Sequence, residues 1–124
     1  MPKVKRETIL CRLDDIEDGE GKGFVLGEGT MRREILVVRE EEAVYGYENV
    51  CPHAGTPLDW EPDRFMSADG SYLMCHTHGA LFRIEDGYCV AGPCAGMSLT
   101  PVVVRLAEDG AIHLAPTAEG PGED

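Results

Sequence analysis

Apolar residues in this chain come in short runs broken by Gly, Pro or Asp-Gly, and no stretch of twelve or more residues carries helical periodicity. The runs are Thr8 to Leu13, Gly23 to Leu26, Glu34 to Arg39, Ala43 to Val50, Arg64 to Met66, Ser71 to Met74, Ala80 to Ile84, Pro101 to Leu106 and Ala111 to Leu114. Their lengths and punctuation are those of strands, so the expected fold is all-β. Asp86-Gly87 and Asp109-Gly110 sit between apolar runs, where a glycine tolerant of positive φ suits a hairpin turn. Asp14 to Gly29 holds five glycines among mostly acidic residues and reads as an exposed hairpin with a loose tip.

With 124 residues there is room for one core, so a single domain is expected over 1–114, followed by a Pro- and Gly-rich disordered tail over 115–124. The longest apolar runs, Ile35 to Val38 and Val102 to Val104, are far too short to span a bilayer. The basic N-terminus runs into charged sequence without the apolar stretch of a secretory signal, which leads to the expectation of a cytoplasmic protein. Acids outnumber bases 23 to 11, a formal net charge of −12, and such a field repels nucleic acid and anionic lipid. The same charge keeps a small protein soluble and suits a partner with a basic docking patch.

Five cysteines cannot all pair with one another, so metal binding is the better reading. Two of them come with histidines at short spacing, in Cys51-Pro52-His53-Ala54-Gly55-Thr56-Pro57-Leu58 and Cys75-His76-Thr77-His78-Gly79. Each loop offers one thiolate and one imidazole. With only one or two residues between them, neither pair easily turns both ligands onto one small ion, but each can straddle a binuclear centre. Gly55 and Gly79 permit close backbone approach, so that backbone N–H groups can donate to sulfur. One tetrahedral zinc held by Cys51, His53, Cys75 and His78 stays open on spacing alone.

These paired loops resemble those of the Rieske [2Fe-2S] family, specifically its small soluble ferredoxins, over roughly residues 7 to 114, with Gly92-Pro93 similar to the proline loop that shields the cluster. The resemblance implies an antiparallel β-sandwich with a small cluster-binding subdomain of two hairpin loops. It also implies one [2Fe-2S] cluster, with Cys51 and Cys75 on the buried ferric iron and His53 and His78 on the outer iron that changes valence. Two ferric ions, two sulfides and two thiolates sum to zero charge, where four thiolates would leave minus two, so adding an electron costs less. Rieske centres accordingly lie at roughly −150 to +300 mV, against about −400 mV for plant-type clusters. High-potential members carry a disulfide at positions matching Thr56 and Thr77, and hydroxyls matching Ala80 and Phe82. Their absence here implies a potential in the lower part of the range. Solvent-facing ligand histidines would further make the midpoint fall as pH rises in the alkaline range.

Two departures accompany the resemblance: a longer spacing between the loops, assigned to Trp60 to Gly70, and His76 where the family usually has proline. His76 is read as a non-ligand, because adjacent side chains rarely reach one centre. His113 is read as a surface or hydrogen-bonded core residue, Trp60 as a packing residue, and Cys11, Cys89 and Cys94 as small buried hydrophobes in preference to a redox pair of the last two.

The function implied is that of a soluble one-electron carrier, not an enzyme, passing electrons from a reductase to an oxygenase or other redox enzyme. The mononuclear iron site of a Rieske oxygenase needs a further domain for which this sequence has no residues. The alternatives are a structural zinc module, or an iron-sulfur sensor or subunit of a larger redox complex. With eight aromatics in the chain the core is thin, so metal binding is expected to contribute to folding.

Overall fold

A computed structural model of the chain describes residues 8–27, 29, 32–52, 55–59, 63–76 and 79–115. Among the described residues, ten strands follow one another: β1 (Thr8–Arg12), β2 (Gly21–Leu26), β3 (Arg33–Glu40), β4 (Ala43–Glu48), β5 (Leu73–Cys75), β6 (Ala80–Phe82), β7 (Cys89–Ala91), β8 (Pro101–Val102), β9 (Val104–Leu106) and β10 (Ala111–Leu114), with a 3-10 turn at Leu13–Asp15. They form three antiparallel sheets, ordered β1-β10-β9, β2-β3-β4-β8 and β5-β6-β7. The fold is thus all-β; of the tail expected over 115–124, Ala115 donates its N–H to the Val103 carbonyl at 3.0 Å, and residues 116–124 lie outside the described residues.

Strand β3 decides how the sheets stack. Its four central residues, Ile35, Leu36, Val37 and Val38, are each 0% exposed, and in a strand alternate residues face opposite ways. Leu36 and Val38 enter a core with Tyr47, Leu58, Phe65, Leu73, Phe82 and Leu99, on the side of the small sheet β5-β6-β7. Val37 and Ile35 enter packing with Ile112, Leu114 and Val102, on the side of β1-β10-β9. An uninterrupted apolar run of four is what a strand covered on both faces requires.

The segment Asp14 to Gly29 is not the expected exposed hairpin. Ile16 is buried, and the Arg39 guanidinium holds the chain there by donating to the Ile16 carbonyl at 2.9 Å. Gly21 to Leu26 then form an edge strand against β3. The glycines have a packing reason: a Cβ on either Gly21 or Gly23 would come to 3.2 Å from the Phe65 ring, which fills the space they leave. The long inter-loop segment carries that ring, and Asp63 Oδ1 accepts from the Gly23 N–H at 2.7 Å.

Strand boundaries differ from expectation in three places. Arg64 to Met66 supplies only a single bridge, Met66 to Leu73. Pro101 to Leu106 is two strands, β8 on β4 and β9 on β10, with the exposed Val103 as the crossing point between sheets. The alternation of buried and exposed residues runs through the crossing unbroken, so the pattern cannot reveal it. Strand β7 is three residues long and shows no alternation of its own. Both Asp-Gly turns form as expected, with Gly87 at φ 74° and Gly110 at φ 90°.

Candidate metal centre

The two Cys-His loops end as mirror copies of one backbone device. In each, the carbonyl of the cysteine accepts from the N–H of the glycine four residues later, Gly55 to Cys51 at 2.7 Å and Gly79 to Cys75 at 2.7 Å. Both glycines have left-handed backbone, φ 74° and φ 75°, and a Cβ on either would meet nothing within 4 Å. The glycines are therefore required by the sharp turn that closes each loop and not by crowding.

Neighbouring elements hold the loops side by side. The buried Asn49 supports the first: its Oδ1 accepts from Leu58 N–H at 2.8 Å and its Nδ2 donates to Asp59 at 3.1 Å. The second loop is tied to the first by the His76 N–H, which donates to the Leu58 carbonyl at 3.1 Å, and Met74 N–H donates to Phe65 at 2.7 Å. Cys51 and Cys75 are buried at 1% and 0% exposure within the same core. His53 and His78, with Ala54 and Thr77, lie outside the described residues, as does Trp60. Among the described residues no three Cys, His, Asp or Glu side chains are arranged as a metal site, so the expected set requires those two histidines.

Two buried thiols in one core, each on a loop closed by an accommodating glycine, suit a thiophilic centre. The donor set fits a [2Fe-2S] group on the two cysteines described.

A third segment, Gly92 to Gly96, closes over both loops. Gly92 (φ 101°) lies against Ala80, the strand partner of Cys75, so closely that a Cβ would stand 2.7 Å from Ala80 Cα. Cys94 is fully buried in the same core as Cys51. Its Sγ donates to that of Cys89 at 3.2 Å, and Cys89 itself donates to the Ala91 carbonyl at 3.2 Å. Burial first, then Cys89, push the Cys94 thiol up to about 12. Cys89 and Cys94 are free and buried, in keeping with their reading as small packing residues. Sequence reasoning missed Asn49, although an amide two positions before a candidate ligand is a natural loop support.

The remaining candidates lie away from this contact. Cys11 sits half-buried beside Ile112 and Ile16, its thiol raised by burial and by Asp15. His113 lies half-buried on β10. His76 is half-buried, and burial followed by Arg64 lowers its pKa against the opposing pull of Asp59, which favours the neutral ring.

Residues 6–113 match the Rieske [2Fe-2S] domain family. The chain is 33% identical over 90 residues to the ferredoxin component of the alkene monooxygenase system of Xanthobacter autotrophicus, covering 69% of this chain and 67% of that protein. Its fold matches the ferredoxin of carbazole 1,9a-dioxygenase from Nocardioides aromaticivorans with a TM-score of 0.70 and 25% identity, covering 90% of this chain and 98% of that one. A structure of reduced oxygenase with oxidised ferredoxin from carbazole 1,9a-dioxygenase matches in fold at a TM-score of 0.68 and 21% identity, over 90% of this chain and 94% of that one.

Proposed function

Because the chain belongs to the Rieske [2Fe-2S] domain family, we propose that Cys51, His53, Cys75 and His78 hold its cluster, the cysteines on the inner iron and the histidines on the outer one. The protein is an electron carrier and not a catalyst, with one [2Fe-2S] cluster per chain. It receives electrons from a reductase and passes them to an oxygenase, in keeping with a relative that is the ferredoxin component of a monooxygenase system and a fold neighbour seen as ferredoxin in complex with an oxygenase. The group supplies a site that holds and releases one electron; the chain supplies its position, its shielding and its route out. Cys51 and Cys75 anchor the buried side, the Gly92 to Gly96 loop packs beside it, and His53 and His78 are the ligands through which the electron leaves.

The matched closure of the two loops carries the site assignment: two buried cysteines, each with its carbonyl bonded to a glycine N–H at 2.7 Å, on adjacent loops. Val50, beside Cys51 in sequence, and Met97, just after the covering loop, are exposed apolar residues. Exposed apolar groups suit desolvated contact with a partner, while the acidic composition favours a partner with a basic docking patch. Among the described residues no helix is long and apolar enough to cross a membrane. We place the carrier in the cytoplasm, as one domain over 1–114.

The test is composition and spectrum. Anaerobically purified protein should be red-brown, contain equal amounts of iron and acid-labile sulfide, and give a rhombic EPR signal on reduction. Colourless protein with one zinc would replace this reading by the structural zinc module.

A further inference from the structure

We propose that Cys89 and Cys94 are a site of reversible oxidation: the pair rests as packed thiols and closes to an internal disulfide when the protein meets hydrogen peroxide, stapling segment 92–96 to strand β7. Neither sulfur is among the cluster ligands assigned above, so this site stands apart from the electron-carrier reading.

The two thiols are free and already in contact, the Cys94 S–H donating to the Cys89 sulfur at 3.2 Å. A disulfide holds its sulfurs at about 2.05 Å, which leaves about 1.2 Å of approach. The backbone presets that contact. Cys89 N–H donates to the Met97 carbonyl at 2.8 Å and the Cys89 carbonyl accepts from Gly96 N–H at 3.1 Å, while the Cys94 carbonyl accepts from Met97 N–H at 2.8 Å and the Gly92 carbonyl from Ala95 N–H at 3.1 Å. The chain thus returns on itself within a few residues and delivers Cys94 to Cys89, a closure whose entropy is spent before any reaction begins. Cys11 packs in the other core and does not compete for either sulfur.

Both thiols are 0% exposed, which shuts out bulky oxidants such as glutathione disulfide and leaves peroxide, little larger than water, as the class that reaches them when the segment opens. In a reducing compartment such a pair rests as thiols and its disulfide is transient. One sulfur attacks a peroxide oxygen, the O–O bond breaks, and the products are a sulfenic acid and one water, which carries off the first thiol's proton. The second sulfur attacks the first, forming the S–S bond and breaking the S–O bond, and its proton leaves with the hydroxyl as a second water. The sulfurs together lose two electrons and the peroxide gains them. With its partner at 3.2 Å, the sulfenic acid is captured before it oxidises further.

Peptide mapping of the loaded, full-length protein tests this. After treatment with hydrogen peroxide the protein is denatured, alkylated and cut with trypsin, and residues 84–105 form one tryptic peptide that holds Cys89, Cys94 and no other cysteine. That peptide should be unlabelled and lighter by two hydrogens than its reduced form, and should accept two labels after reduction. A peptide that takes both labels without reduction, or that gains oxygen as sulfinic acid, would overturn the proposal. Cys94→Ser should abolish the disulfide, and a new disulfide from Cys89 to another cysteine in that variant would overturn the pairing. The staple is read in unmutated protein: after oxidation the Gly96 and Met97 amides should exchange more slowly with deuterium, and unchanged protection would refute it. Because the peptide reports on the two thiols alone, a failure of this proposal and a failure to find a cluster are separate observations.

Discussion

At the scale of single residues, Cys51 and Cys75 are placed by strand ends and glycine turns that do not depend on their sulfur. Replacing either with Ser should therefore leave the strands intact and remove the cluster, seen as loss of iron and acid-labile sulfide with unchanged far-ultraviolet circular dichroism. Ala80 offers the complementary experiment. It pairs directly with Cys75, and both are fully buried, so a hydroxyl at position 80 stands on the same face as the ligand. Ala80→Ser should raise the midpoint potential, and an unchanged midpoint in loaded protein would count against hydrogen-bond control of the potential. The two Cys-His loops were legible in the sequence because chemistry demands particular atoms at short spacing. The seating of Gly92 on Ala80 was not, since nothing in the local pattern marks so close a backbone approach between separate segments.

At the scale of elements, the close approaches are the informative places. Gly46 on β4 faces β8 and β9 so tightly that a Cβ would lie 2.8 Å from the Val102 carbonyl and 2.9 Å from Val104. Gly46→Ala should cost about 1–3 kcal/mol by overpacking, read as a lowered midpoint of thermal or urea unfolding. The β6-β7 hairpin turns on Asp86, whose carboxylate accepts from both Arg83 and the Tyr88 N–H, while Arg83 also lies over the Tyr88 ring at 5.0 Å. The Arg83 bond, followed by the Tyr88 N–H, holds the Asp86 carboxyl below its usual range. A depressed carboxylate contributes stability above its unfolded value, about 3.9, and loses it as pH falls through the lower folded value. The Tyr88 amide resonance should hold steady from neutral pH down to about 4 and shift below it, and Asp86→Asn should abolish that acid shift. Both Asp-Gly hairpins were readable from two residues each, because positive φ leaves few candidates. The role of Gly21 and Gly23 was not readable: the reason for them is the Phe65 ring, which arrives from a distant segment.

At the scale of the whole molecule, the two cores have different dependence on metal. The packing of Ile16, Val37 and Ile112, with Ile35, Val102 and Leu114, includes no candidate ligand. The core on the other face of β3 contains Cys51, Cys75, Cys89 and Cys94. A metal bound by two otherwise short loops contributes to the folding of whatever those loops close. Removing the metal should then raise amide hydrogen exchange at Leu73–Cys75, Ala80–Phe82 and Cys89–Ala91, while β1, β2, β3 and β10 keep their protection. Tyr47 is the one buried tie that crosses from the β4 sheet to the β6-β7 hairpin by a side-chain hydrogen bond among the described residues, its hydroxyl donating to the Ile84 carbonyl at 2.6 Å. Burial, then Asp86 and Glu85, push its ionisation well above the usual range, so the tie holds at any pH the protein meets. Fold class was open to reading from periodicity, and the two Cys-His loops from motif. The three-sheet arrangement was not, because the crossing at Val103 preserves the alternation on either side of it.

Strand β3 belongs to both interiors, and so the molecule has a partition one residue thick. An engineer wishing to retune the redox half without touching its scaffold has two positions on that partition, Leu36 and Val38, while Ile35 and Val37 address the scaffold alone. Grafting a foreign redox tip onto this chain therefore means rematching Leu36 and Val38 together with Tyr47 and the Phe65 seat on Gly21 and Gly23.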